Sequence, residues 1–168
     1  MEPPPKERDG LEFCRTFHPG RETIDYNNHV NVGYYGILFE QAAQAVFPRF
    51  DLSGDYKART NHALFATESH VVFKKEIFES QAVDVYLRMV DLTDKALHVM
   101  FLMLLRDDPD PAATQEVLYL HVSLTDRKVV PLEAKTLATL EDLKARQQRF
   151  PLRLPVGQAI GLRRGRRG

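Results

Sequence analysis

The sequence predicts an α+β domain in which one long, buried helix lies against an antiparallel sheet. Three observations carry this. Between Gly33 and Phe47 the only strongly polar side chains are Glu40, Gln41 and Gln44, besides the hydroxyls of Tyr34 and Tyr35, and a helix apolar nearly all round is one surrounded by protein. The later segments "AVDVYLRMV" and "VLYLHVSLT" alternate with period two, and "KALHVMFLMLLRD" between them is apolar on both faces, as a covered central strand is. Their connections, "DLTDK" and "DDPDPAAT", are short and turn-forming, so the neighbours join antiparallel.

The elements follow in order. Residues 1–10, polar and Pro-rich, read as a flexible lead with no apolar signal-peptide core. "LEFCRTFHPG" has strand composition and stops at Pro19-Gly20. The helix from Gly33 to Phe47 ends or kinks at Pro48. "DLSGDYKARTN" reads as a loop punctuated by Ser53-Gly54, and "ALFATESHVVFKKEIF" as the next strand. In the following strand Val83, Val85, Leu87 and Met89 face away from Asp84, Tyr86 and Arg88; later Leu118, Leu120, Val122 and Leu124 oppose Tyr119, His121 and Ser123. After Pro131, "LEAKTLATLEDLKARQQ" is an amphipathic surface helix with Leu137, Leu140 and Leu143 on one stripe. The domain therefore spans 11–149, and 150–168 form an irregular basic tail ending "GLRRGRRG". Its bland reading is a solvated end; the sharper one is contact with an anionic ligand. A helix apolar on every side needs either a sheet curved around it or a partner subunit on its other face.

Composition narrows the function. Lys+Arg and Asp+Glu both number 23, and that balance argues against nucleic acid as the main partner. Cys14 is the only cysteine, which excludes an internal disulfide and cysteine-ligated zinc and suits a reducing compartment. The longest apolar run is about half the ~20 residues that span a bilayer, so a cytoplasmic protein with no membrane role is expected. No Gly-x-Ser-x-Gly elbow or phosphate-cradling glycine loop is present. Cys14 reads as a small core residue rather than a nucleophile. His98 and His121 lack a carboxylate or second histidine at ligand spacing, so no metal is expected.

The chemistry concentrates in "DYNNHVN", residues 25–31. Asn27 and Asn28 tolerate the left-handed backbone of a sharp turn, and Asn31 suits an N-cap. A turn, a cap and a helix are a complete reading by themselves. The functional reading adds charge placement: unpaired amides and the positive dipole end lie at the helix start. A thioester carbonyl lodged there would be polarised, and its oxyanion stabilised, by the amide of Val32 or Gly33. Asp25 faces the same point as a nucleophile or general base.

"DYNNHVNVGYYGILFE" resembles the signature of the hotdog-fold acyl-CoA thioesterases of the 4-hydroxybenzoyl-CoA thioesterase type, Asp-x-Asn-Gly-His-(Val/Met)-Asn-Asn-x-x-Tyr followed by an aromatic-Glu pair. Asp25, Asn27, His29, Val30, Asn31, Tyr35 and Phe39-Glu40 fall in register; Asn28 stands where Gly is commoner and Val32 where a second Asn is common. The resemblance covers about residues 11–135, although Ser80-Gln81 replaces the family's usual Gly-Asp. Glu68, His70, "KALHVMF" and "LYLHVSLTDRKVVPL" look most like the betainyl-CoA thioesterase branch.

The resemblance implies a helix wrapped by an antiparallel sheet, a dimeric unit (homodimer, or homotetramer of two dimers) with interfacial sites, and a coenzyme A thioester as substrate without a separate cofactor. It implies Asp25 as the acid of catalysis, Val32 as oxyanion donor, Asn31 and His29 in support, and Asn27 beside the substrate. For a cationic acyl group, Glu68 with His70 would orient the charge while Tyr34, Tyr35 or Phe65 cage it; a salt-bridged surface pair is the plain reading of Glu68 and His70. Arg59, Lys74 and Lys75 are candidates for the CoA phosphates. Glu40, inside the helix, reads as a structural group that needs a partner. A hydratase or dehydratase using His29 with a carboxylate, and a non-catalytic acyl-CoA-binding module, are the competing functions on this fold.

Overall fold

The computed structural model describes residue 8, residues 10–106 and residues 108–161. The N-terminal lead, but for residues 8 and 10, and the arginines Arg163, Arg164, Arg166 and Arg167 lie outside the described residues. The elements run β1 (Glu12–Phe17), α1 (Val32–Val46), α2 (Gly54–Thr60), β2 (His62–Phe73), β3 (Val83–Leu92), β4 (Ala96–Leu105), β5 (Ala113–Ser123) and α3 (Ala134–Gln148), with 3-10 turns at Arg21–Thr23 and Phe47–Phe50. One sheet has the order β1-β3-β4-β5-β2, every neighbouring pair antiparallel.

The core forms because α1 offers Tyr35, Leu38, Phe39, Ala42, Ala43 and Val46 along one side, at the three- and four-residue spacing that gathers a helix face. That face meets the inner side of the sheet. Phe39 and Phe47 each lie 6.3 Å from Phe101 of β4, and Phe47 packs edge-on against Tyr119 of β5 at 5.4 Å. Val83, Val85, Leu87 and Met89 are fully enclosed there, as their alternation predicts. The other side of α1 stays uncovered in the single chain: Val32, Gly33, Gly36, Ile37, Glu40, Gln41 and Gln44 are exposed. Glu40 is thus a surface residue, accepting from the Gln44 amide at 3.0 Å, and not the enclosed carboxylate expected from its neighbours.

The outer side of the sheet is also covered, which the two-sided apolarity of β4 requires. Tyr86, Met100, Leu102 and Leu104 form a second cluster beneath Leu11, Phe13, Leu154 and Val156. Residues 150–161 are irregular as expected, yet they run over this face. Arg88, assigned to the polar side of β3, is buried and donates to the carbonyls of Gly10 (2.9 Å), Phe150 (2.8 Å) and Gln147. Leu140 and Leu143 of α3 are fully buried, as their stripe predicts.

One local reading is corrected and one is completed. Residues 51–61 are not a plain loop: Ser53 caps α2, accepting from the amides of Asp55 (3.2 Å) and Tyr56 (3.4 Å), and Asn61 ends it in the left-handed region at φ 54°. In β5 it is the side carrying Tyr119 and His121 that turns toward the helix. Tyr119 and His121 are buried on that side and Leu118 and Leu120 are half-buried on the other, because the polar atom of His121 finds a partner inside: its Nε2 lies 3.0 Å from the Tyr56 hydroxyl.

Candidate active site

The site begins as a tight hairpin. Ile24 and Val30 form an antiparallel bridge. The Asn28 amide donates to the Asp25 carbonyl at 3.1 Å and the Asp25 amide to the His29 carbonyl at 3.0 Å. Asn28 sits at φ 64°, the left-handed residue that closes a three-residue hairpin loop. Asparagine adopts that conformation more readily than most residues, so it serves where glycine is commoner.

The amides around α1's start are then consumed one by one. Asn27 donates to Asp25 Oδ1 at 2.7 Å, Val30 to the Ile77 carbonyl at 2.8 Å, Asn31 to that of Thr23 at 2.8 Å and Tyr34 to that of Asn31 at 2.9 Å. Asn31 is the N-cap, and its Oδ1 accepts from Gly33 at 2.9 Å. Of the two amides the sequence offers as oxyanion donors, Gly33's is therefore taken. Val32's has no acceptor among the described residues.

Asp25, Asn27, His29, Val32, Tyr35, Lys74 and Lys75 line one cleft of about 460 Å³, with Val30, Phe73 and Glu76. Asp25's side chain is 13% exposed; its Oδ1 is held by the Asn27 amide, and Oδ2 has no hydrogen-bond partner among the described residues. His29 stands between two carboxylates, its Nδ1 4.0 Å from Asp25 and its Nε2 3.8 Å from Glu76. Neither is a hydrogen bond, and His29 Nδ1 lies closer to the Val30 carbonyl, at 3.3 Å. Burial, then the charge of Glu76, raises the Tyr35 hydroxyl's pKa, which keeps it a donor. Phe73 packs edge-on against Tyr35 at 4.9 Å.

The chain matches the model of the Thioesterase-like superfamily over residues 20–140. This chain belongs to that superfamily. It is 30% identical over 141 residues, 84% of its length and 89% of the relative's, to the betainyl-CoA thioesterase of Pseudomonas aeruginosa. Among solved structures it resembles SAV2348 of Staphylococcus aureus, determined in complex with CoA, at TM-score 0.83 and 21% identity, covering 90% of this chain and 96% of that one. It also resembles the DHNA-CoA thioesterase of the same organism at TM-score 0.68 and 14% identity, covering 83% and 91%. The hotdog fold implied by the motif is thus the fold of this thioesterase-like chain.

Other candidate residues are not gathered at the cleft. Glu68 and His70 do share a side of β2, but it is the outer one. Their partners across β5, Leu118 and Glu116, belong to the face opposite Tyr119, and both residues line a separate cavity with His98 and Glu116. Phe65 pairs with Leu120 on that same outer face. Tyr34 packs at the edge of the core and Tyr35 belongs to the inner face, so the cation cage does not assemble within one chain. Arg59 is engaged by Asp51 (3.0 Å) and Glu133 (2.7 Å), away from the cleft.

The histidines set aside as lone residues do have neighbours: His98 Nε2 lies 2.6 Å from Glu116 Oε1, and the His62 and His121 rings are 5.1 Å apart. Strand register supplies these partners, which sequence spacing does not reveal. Among the described residues no three His, Cys, Asp or Glu side chains are placed to hold a metal ion, and no helix is long and apolar enough to cross a membrane. Cys14 is buried, and burial pushes its thiol's pKa far up, which makes it a poor nucleophile. Phe73 and Glu76 were not singled out in the sequence. Phe73 alternates with Val71 on β2, a period-two signal, whereas Glu76 reaches the cleft only through the fold.

Proposed function

We propose that this chain hydrolyses an acyl-CoA thioester, adding water across the C–S bond to release CoA and a carboxylic acid. The observation that supports it most directly is that Val32 and Asp25 border one cleft at the start of α1. The thioester carbonyl lies against the Val32 N–H, where the helix dipole favours the negative charge that develops on oxygen. Asp25 drives attack on the carbonyl carbon, through a water it deprotonates or by its own oxygen. The carbon–sulfur bond then breaks and the thiolate takes a proton; attack by Asp25's own oxygen gives a mixed anhydride at this point, which water then hydrolyses to the acid and free Asp25. Single turnover in ¹⁸O-labelled water tests the direct route, since only an anhydride opened by water at the Asp25 carbonyl leaves label in Asp25.

The 30% identity to a betainyl-CoA thioesterase supports a small acyl group carrying a fixed cation. A second copy of the chain fits the uncovered stripe of α1, where Ile37 is exposed, and the Phe65 end of the edge strand β2. The test is thiol release across betainyl, short straight-chain and aromatic CoA thioesters. Asp25→Asn keeps an oxygen for the Asn27 amide, so the hairpin survives, while turnover falls about 10²–10⁴-fold. Undiminished turnover in a folded variant would remove Asp25 from the mechanism.

A further inference from the structure

We propose that the coenzyme A part of the substrate leaves the Asp25 cleft over Phe73 and Lys74, with its nucleotide lying in the groove beneath residues 154–161. This rests on the thioesterase reading and adds where the carrier is held. A groove of about 670 Å³ separates the end of β2 from the C-terminal segment, bordered by Val72, Phe73, Lys74, Leu154, Pro155 and Ile160 among others. Its size is within the ~300–1,000 Å³ that small-molecule sites occupy. Phe73 and Lys74 line both this groove and the Asp25 cleft, so the two adjoin at the strand's end.

The charges fit an anionic carrier. Lys75 is committed to Asp108, whose carboxylate oxygens lie 2.7 and 2.6 Å from its Nζ, whereas Lys74 has no ion pair among the described residues. A lysine without a competing carboxylate is a ready phosphate partner. Glu116, the carboxylate on the groove's wall, is already occupied by His98 at 2.6 Å and by the Gly157 amide at 2.9 and 3.1 Å. His70 faces the groove as well.

The groove is also preformed and offers apolar surface for a purine ring. The Gly157 bond and the packing of Leu154 and Val156 on the outer cluster hold the segment against the sheet. Val72 and Ile160, which both line the groove, remain 37% and 90% exposed.

The experiment compares an acyl-CoA with the matching acyl-pantetheine, which lacks the nucleotide, in wild type, Lys74→Gln and Ile160→Ser. In Lys74→Gln, kcat/KM for the CoA thioester falls about ten- to a hundredfold further than for the pantetheine thioester. Free CoA, titrated by calorimetry, weakens in parallel. Ile160→Ser gives a smaller loss with the same selectivity for the nucleotide-bearing substrate. Equal losses on both substrates, or no loss of CoA affinity, would overturn the groove. If the wild type releases no thiol yet binds CoA in a Lys74-dependent way, the groove holds and the hydrolase reading falls.

Discussion

Replacing Val32 by proline tests the oxyanion assignment without disturbing the fold. Proline removes the Val32 amide, which has no acceptor among the described residues, and does so at the first helical position, where its fixed φ suits the helix and its missing N–H breaks no backbone bond among them. Asn31, at φ −62° and ψ 140°, already has the extended conformation that a residue before proline prefers. Val32 is 64% exposed, so little packing is lost, and the Asn31–Gly33 cap bond is untouched. Loss of one such donor costs about 10²–10³ in kcat, ~2.7–4 kcal/mol of transition-state stabilisation. KM changes much less, because the ground-state carbonyl carries little of the charge. Steady-state thiol release with Val32→Ala as control, beside thermal unfolding of all three proteins, supplies the measurement. Val32→Ala keeps the N–H and near-normal turnover. A Val32→Pro protein that melts with the wild type and turns over at its rate would refute the oxyanion role.

Two further outcomes concern stability. Burial lowers the His121 pKa, with the Val130 carbonyl acting in the opposite sense, while the unfolded residue titrates near ~6.5. The unfolded chain therefore takes up the proton first; the stability His121 contributes is full above that pH and drains as pH falls below it toward the folded value. Melting temperatures from about pH 8 to pH 5 read this, and an equally steep fall in His121→Gln would assign the effect elsewhere. Leu140 is fully buried on α3, so Leu140→Ala lowers unfolding free energy by about 2–5 kcal/mol in urea titration; a loss below ~1 kcal/mol would mean the helix is dispensable.

The elements that sequence predicts best are those whose pattern is long and local. The fifteen residues of α1 and the ten of β4 declare themselves because each repeats its signal several times. Helix α2, only seven residues long, is too short for periodicity to register, and Ser53-Gly54 is equally a loop signal and a cap. Period two tells which residues share a face but not which face turns inward. For this reason Glu68 and His70 are rightly paired yet sit on the outer side of the sheet. For the same reason alternation separates the leucines of β5 from Tyr119 and His121 without telling that the latter turn inward, where Phe47, just past α1, and Tyr56 of α2 receive them.

The active-site turn is more legible than its surroundings because its logic is confined to a few neighbouring residues. A capping side chain reaches the second or third helical amide, not the first, so an asparagine cap at Asn31 leaves the Val32 N–H open by construction. Whether valine or asparagine follows the cap is then immaterial to the donor, and Val32's departure from the family pattern costs nothing. The walls of the cleft are another matter. Phe73 and Glu76 arrive from the far end of β2, after a chain reversal at α2 and a strand whose bulge between Ala66 and Glu68 shifts its register. A bulge inserts one residue and exchanges the faces beyond it, so no reading of β2 by alternation alone could carry both ends of the strand to their correct sides.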